Sequence, residues 1–226
     1  MALPPADRHP RLAAARLYFV CDARPRGEAP DGLLRAALEG GAGMLELREK
    51  DVGDDAGLVE AARPFRDAAE RHGIPFILND RPDLVEGCGA DGVHLGQEDT
   101  PVADARSRLG PELIVGLSTH SAEQLGAACS ALPEARPDYV SVGPVWETPT
   151  KQGRAATGLG LIEHAAREAT LPWFAIGGID ASNVGDVVAA GAERIVVVRA
   201  LRNADDPLAA ARALREAVEA GSEVWD

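Results

Sequence analysis

The stretch GGAGMLELREK, residues 40–50, decides between two folds. A glycine-rich run that follows a strand and opens a helix would point to an open, doubly wound sheet built around a dinucleotide. Here the order is reversed. Gly40, Gly41, Ala42 and Gly43 close a helical stretch and lead into a strand, so they read as a helix C-cap and turn. Working outward, short β-branched or apolar runs alternate with stretches rich in alanine, leucine, arginine and glutamate. Strands are expected at 17–21, 44–48, 75–79, 92–95, 113–117, 139–142, 173–176 and 195–198. Helices are expected at 32–39, 56–71, 82–86, 102–108, 122–131, 161–168, 183–190 and 208–220. Strict strand–helix alternation implies a parallel sheet, and eight units in 226 residues imply its closure. The expected fold is α/β, a single (β/α)8 TIM barrel.

No linker or break in composition divides the chain. Residues 1–15, polar and proline-bearing, read as a flexible N-terminal lead-in, 16–221 as the barrel and 222–226 as a C-terminal tail. Aromatics make up only 4% of the chain and alanine fills the helical stretches, which suits short helices packed closely. Lysine and arginine total 23 against 36 acidic residues, a formal charge of -13 that argues against nucleic acid or an anionic membrane as partner. Three cysteines, far apart and without a CxxC pair, suggest neither a disulfide framework nor a zinc site. No apolar run approaches the roughly 18 residues of a membrane span. The N-terminal residues lack the apolar core of a secretory signal, so a cytoplasmic location is expected. A homo-oligomer is compatible with the sequence, which does not specify one.

In a barrel, chemistry sits where strands end. Period-two alternation along 44–50 turns Leu45 and Leu47 toward the helices and Glu46, Arg48 and Lys50 inward. Inward cations are costly unless an anion meets them; a Glu46–Arg48 ion pair is the alternative. The third strand ends in Asn79-Asp80, and Gly96-Gln97-Glu98-Asp99 follows the fourth. Asp80 and Asp99 together suit a hard divalent ion shared with a substrate phosphate, whereas Asp80 alone also suits the N-cap of a helix holding Pro82. On the fifth strand Ser118 falls on the inward register, able to bond a ring nitrogen, while His120 reads as structural before it reads as an acid or base. After the sixth strand, Thr148, Thr150 and Lys151 supply two hydroxyls and an amine for a phosphate ester. Gly177-Gly178 and Val198-Arg199 stand at the usual barrel phosphate site after strands seven and eight. Two phosphate sites therefore emerge, where cations or backbone amides reverse the acidic field locally.

With these residues assembled, the chain resembles the thiamine-phosphate synthase (thiamin phosphate pyrophosphorylase) family. The matching motifs are LREK (47–50), ND (79–80), GVHLGQED (92–99), GLSTH (116–120), GPVWETPTK (143–151) and AIGGI (175–179), in the family's order over roughly residues 17–201. The resemblance implies a transferase acting on two small phosphorylated substrates. It would couple 4-amino-2-methyl-5-(diphosphooxymethyl)pyrimidine with 4-methyl-5-(2-phosphooxyethyl)thiazole, giving thiamine phosphate and pyrophosphate. The implied order is dissociative, with Mg2+ assisting the departure of pyrophosphate. By the same resemblance, Glu46, Leu47, Arg48, Glu49, Lys50, Asn79, Ser118 and Lys151 contact the pyrimidine pyrophosphate. Thr148, Pro149, Thr150, Gly178, Val198 and Arg199 contact the thiazole phosphate, and Asp80 and Asp99 hold the metal. Arg48, Lys50, Lys151 and Ser118 form the implied catalytic set. Two positions depart from the family pattern: Glu46 replaces the usual glutamine and Arg199 the frequent serine. An ionised Glu46 cannot donate to the pyrimidine but can accept from its exocyclic amine. Two alternatives are a thiazole tautomerase of the same barrel family using His120, and a non-catalytic thiamin phosphate sensor. Lys50, Asp99 and Lys151 speak against the isomerase, which has no pyrophosphate to clamp, and no basic face or extra domain supports the sensor.

Overall fold

Alternation along each strand sorts the side chains into two apolar layers, one facing helices and one facing a barrel axis. The computed structural model describes residues 9–50, 53–148 and 155–222. Eight parallel strands, β1 (Leu17–Cys21), β2 (Met44–Leu47), β3 (Phe76–Asn79), β4 (Gly92–Leu95), β5 (Ile114–Thr119), β6 (Tyr139–Val142), β7 (Trp173–Ile176) and β8 (Ile195–Val197), close in sequence order. The closure is the β1–β8 ladder, with Leu17 opposite Ile195 and Phe19 opposite Val197. An open doubly wound sheet has no such ladder, so the choice made at residues 40–50 stands.

The outer layer takes Leu17, Phe19 and Cys21 from β1 and Leu45 and Leu47 from β2. The inner layer takes Tyr18, Val20, Met44, Ile77, Ile114, Tyr139, Phe174 and Val196. Around the barrel run α2 (Asp31–Glu39), α3 (Asp55–His72), α4 (Val85–Cys88), α5 (Val102–Leu109), α6 (Ala122–Ser130), α7 (Leu159–Glu168), α8 (Val184–Ala189) and α10 (Pro207–Ser222). Their inner faces carry fully buried alanines, among them Ala37, Ala62, Ala165 and Ala211, which let helices approach closely. After α2 the chain turns through Gly41 at φ 101°, a conformation open to glycine at little cost.

Two helices lie outside the expected pattern. Within the lead-in, α1 (Pro10–Ala14) forms with proline in its first turn. Its Leu12 is fully buried and joins the inner layer with Ala15, so this part of the expected flexible segment covers the N-terminal end of the barrel. One leucine among alanines is too short a pattern to show helical periodicity, which is why the sequence concealed it. The other is α9 (Arg199–Arg202), which follows β8 directly. The helix expected at 82–86 begins only at Val85, so Asp80 is not its cap. Among the described residues no helix is long and apolar enough to cross a membrane.

Candidate active site

The strand ends opposite α1 surround a cavity of about 370 Å³. Its residues come from nearly every strand or the loop after it, which only closure of the sheet brings within reach of each other. On β2, alternation holds as expected. Glu46 faces the cavity and is 3% exposed, while Arg48 lies above it at the rim. Glu46 and Arg48 do not pair with each other, and among the described residues the Arg48 guanidinium makes no ion pair. Leu47 points into the helix layer, and Glu49 accepts the Ala23 amide at 3.0 Å, so neither side chain lines the cavity.

Asp80 and Asp99 meet at one wall. Asp80 adopts φ 59°, a left-handed conformation that aspartate tolerates better than most residues. This turn directs the carboxylate across the strand end, where Lys50 donates to it. Asp99 accepts the Gly96 amide at 2.7 Å. Burial pushes the Asp80 carboxyl above the usual aspartate value; Lys50 opposes this, and the neighbouring Asp99 adds to it. Among the described residues no cluster of three or more His, Cys, Asp or Glu side chains is arranged as a closed metal cage. Two adjacent carboxylates nevertheless fit a magnesium ion, which commonly keeps waters and completes its shell with phosphate oxygens.

The opposite wall is built by the loops after β6, β7 and β8. Thr148, Gly178, Val198 and Arg199 all line the cavity. Gly177 (φ 108°) and Gly178 (φ 71°) turn the chain after β7; a Cβ on Gly177 would sit 2.5 Å from Pro144, so only glycine allows this close approach. Helix α9 starts at this wall, leaving the first amides, including those of Arg199 and Ala200, without intrahelical acceptors. No ion pair engages Arg199 among the described residues. Pro149, Thr150 and Lys151 lie outside the described residues.

Between the walls, the floor holds Tyr18, Glu46, His94, Ser118 and Ser141. Ser118, expected to face inward, does so, and its hydroxyl lies 2.9 Å from His94 Nε2. Asn79 also lines the cavity, and its Oδ1 is buried without a hydrogen-bond partner. The ring of His120 lines the cavity too, but its Nδ1 is held by the Gly143 carbonyl, which favours a structural part for it. Sequence reasoning passed over Tyr18, His94, Tyr139 and Ser141. The alternation applied to β2 would have turned Tyr18 inward on β1 and Tyr139 and Ser141 inward on β6.

The family model described as thiamine monophosphate synthase matches residues 17–201. A thiamine-phosphate synthase of Arthrobacter sp. (strain FB24) is 48% identical, with 93% of this chain and 97% of that protein covered. One from Nostoc sp. is 47% identical over 89% of this chain, which spans 55% of that relative's length. The chain thus spans about half of some curated relatives and nearly all of others. Among solved structures, thiamine phosphate pyrophosphorylase from Pyrococcus furiosus superposes with a TM-score of 0.79 at 30% identity, covering 92% of this chain and 96% of that one.

Proposed function

The chain belongs to the thiamine-phosphate synthase family, and we propose that it couples the aminopyrimidine pyrophosphate with the thiazole phosphate to form thiamine phosphate and release pyrophosphate. One observation carries the reading: the cavity has two separate walls that each carry a cation, with a polar floor that holds Glu46 between them. Arg48 and the Lys50–Asp80–Asp99 group stand on one wall, and Gly178, Arg199 and the start of α9 on the other. Two phosphorylated rings, one on each wall, would meet over the floor.

Asp80 and Asp99 would hold magnesium, which supplies positive charge to the leaving diphosphate when bound. Arg48 and Lys50, joined by Lys151 on the family assignment, stabilise the negative charge that builds as the carbon–oxygen bond breaks. Val20, Ile176, Val196 and Val198 line the cavity with apolar surface and keep water from the electron-poor methylene before the thiazole nitrogen reaches it. Ser118 orients on the floor, and the amides of α9 with Arg199 hold the second phosphate. No nucleophilic side chain is needed, because the thiazole nitrogen itself forms the new bond. A cytoplasmic setting suits this biosynthetic reaction.

The test is to mix both substrates with the purified protein, with and without magnesium, and follow coupled product and pyrophosphate together. Both should appear in equal amounts and depend on the metal. Isomerisation of the thiazole without pyrophosphate would replace this reading with the tautomerase, and binding without turnover would replace it with the sensor.

A further inference from the structure

Asn183 stands in front of α8, where an asparagine side chain ordinarily accepts an amide from the first turn of its own helix. It makes no such bond. Both ends of the side chain are spent on the preceding loop instead. Nδ2 donates to the Gly178 carbonyl at 2.9 Å, and Oδ1 accepts the Asp180 amide at 2.9 Å. Exchanging the two ends would set hydrogen against hydrogen and lone pair against lone pair, so the pairing has one sense. Asn183 does not itself line the cavity, whereas Gly178, Ile179 and Asp180 do.

A trans peptide is planar, and its carbonyl and N–H point in opposite directions. Holding the Gly178 carbonyl on Asn183 therefore aims the Ile179 N–H away from Asn183. The peptide before it is held in the same manner, since the Gly177 carbonyl accepts the Trp146 amide at 3.1 Å. Among the described residues, neither the Gly178 amide nor the Ile179 amide has an acceptor. The Ile179 side chain is 5% exposed and packs in the helix-facing layer, so it is the backbone of this residue that meets the cavity. Asp180 carries the one carboxylate between Gly177 and Asn183, and its Oδ1 is occupied by the Ser182 amide at 2.8 Å and by the Ser182 hydroxyl.

We propose that Asn183 is a positioning residue for the thiazole phosphate. Through the Gly178 carbonyl it holds the Ile179 amide, beside that of Gly178, as a donor to the phosphate oxygens. A hydrogen bond to a charged oxygen is stronger than one between neutral groups, and it depends on direction. Without Asn183, a segment that begins with two glycines keeps wide conformational freedom and loses the tether that sets this direction. The proposal rests on the two-substrate reading and deepens it, assigning a residue outside the cavity to one substrate alone.

The test is calorimetric. Thiazole phosphate, and separately pyrophosphate with magnesium, are titrated into the wild-type protein and Asn183→Ala. The variant should bind thiazole phosphate at least ~10-fold more weakly, the lower end for one hydrogen bond to a charged group. Pyrophosphate, which belongs on the opposite wall, should bind as it does to the wild-type protein. A merely structural effect would weaken both. Amide NMR of the wild-type protein reads the donor directly and does not depend on the variant folding. Thiazole phosphate should move the Ile179 and Gly178 amide protons downfield, and the same thiazole alcohol without its phosphate should not. Unchanged thiazole phosphate affinity in Asn183→Ala, equal loss of both ligands, or an unmoved Ile179 amide overturns the proposal. The coupling assay is read separately. A phosphate-dependent shift at Ile179 without coupled product removes the transferase reading and leaves the assignment of Asn183, whereas coupled product with an unmoved amide removes that assignment alone.

Discussion

Asp80 shows how a single residue is strained toward a task. It holds a left-handed backbone, pairs with Lys50 and sits against a second carboxylate, with its own proton affinity raised mainly by burial. Because the folded value lies above the unfolded one, ionised Asp80 costs stability. The penalty is absent below the ordinary aspartate range and grows as pH rises through the raised folded value. In metal-free protein, Asp80→Asn is therefore expected to raise the melting temperature at about pH 7, with the gain shrinking toward about pH 4. The same variant should lose at least ~10²-fold in turnover, the scale of removing one transition-state charge stabiliser. Scanning calorimetry at the two pH values checks the first statement. A lower melting temperature at neutral pH would mean that the Lys50 pair outweighs burial.

Among the elements, α1 and α9 do the work that strand alternation alone does not foresee. Helix α1 inserts fully buried Leu12 beneath the inner layer, at the end of the barrel away from the cavity. Leu12→Ala is expected to cost about 3 kcal/mol, the range for a buried leucine whose cavity only partly collapses. Turnover at 25 °C should stay near normal, since Leu12 itself does not line the cavity. Denaturant unfolding and the coupling assay read these two effects separately; a large fall in turnover in the folded variant would tie the plug to the active end. Helix α9 is held to the start of the barrel by the Arg202–Asp22 ion pair at 2.9 Å, which fixes the wall that carries Arg199. Both helices are short, and neither offers the repeated apolar spacing by which longer helices announce themselves.

For the molecule as a whole, closure is what turns eight strand ends into one site. Distant segments lock that closure from outside as well: a Cβ on Gly40, at the end of α2, would lie 2.4 Å from Ala211 Cβ and 2.8 Å from the Leu208 carbonyl oxygen on α10. Gly40→Ala should overpack this junction and lower stability by about 1–3 kcal/mol. Since it joins residues from both ends of the chain, one cooperative calorimetric transition should move down without splitting; a new early transition would show that α10 unfolds on its own. Much of the arrangement is legible in the amino-acid order. Period-two alternation on β2 orients Glu46, Arg48 and Leu47, and the glycine run before that strand excludes a dinucleotide fold, because both are local consequences of backbone geometry. The hydrogen-bonded chain Glu46–Tyr18–Tyr139–His94–Ser118 is different. Its successive links join residues 28, 121, 45 and 24 positions apart. Local sequence determined which side chains face inward, since alternation needs only neighbouring residues. Which inward groups touch was decided only when the strands curled into a closed ring with one fixed stagger.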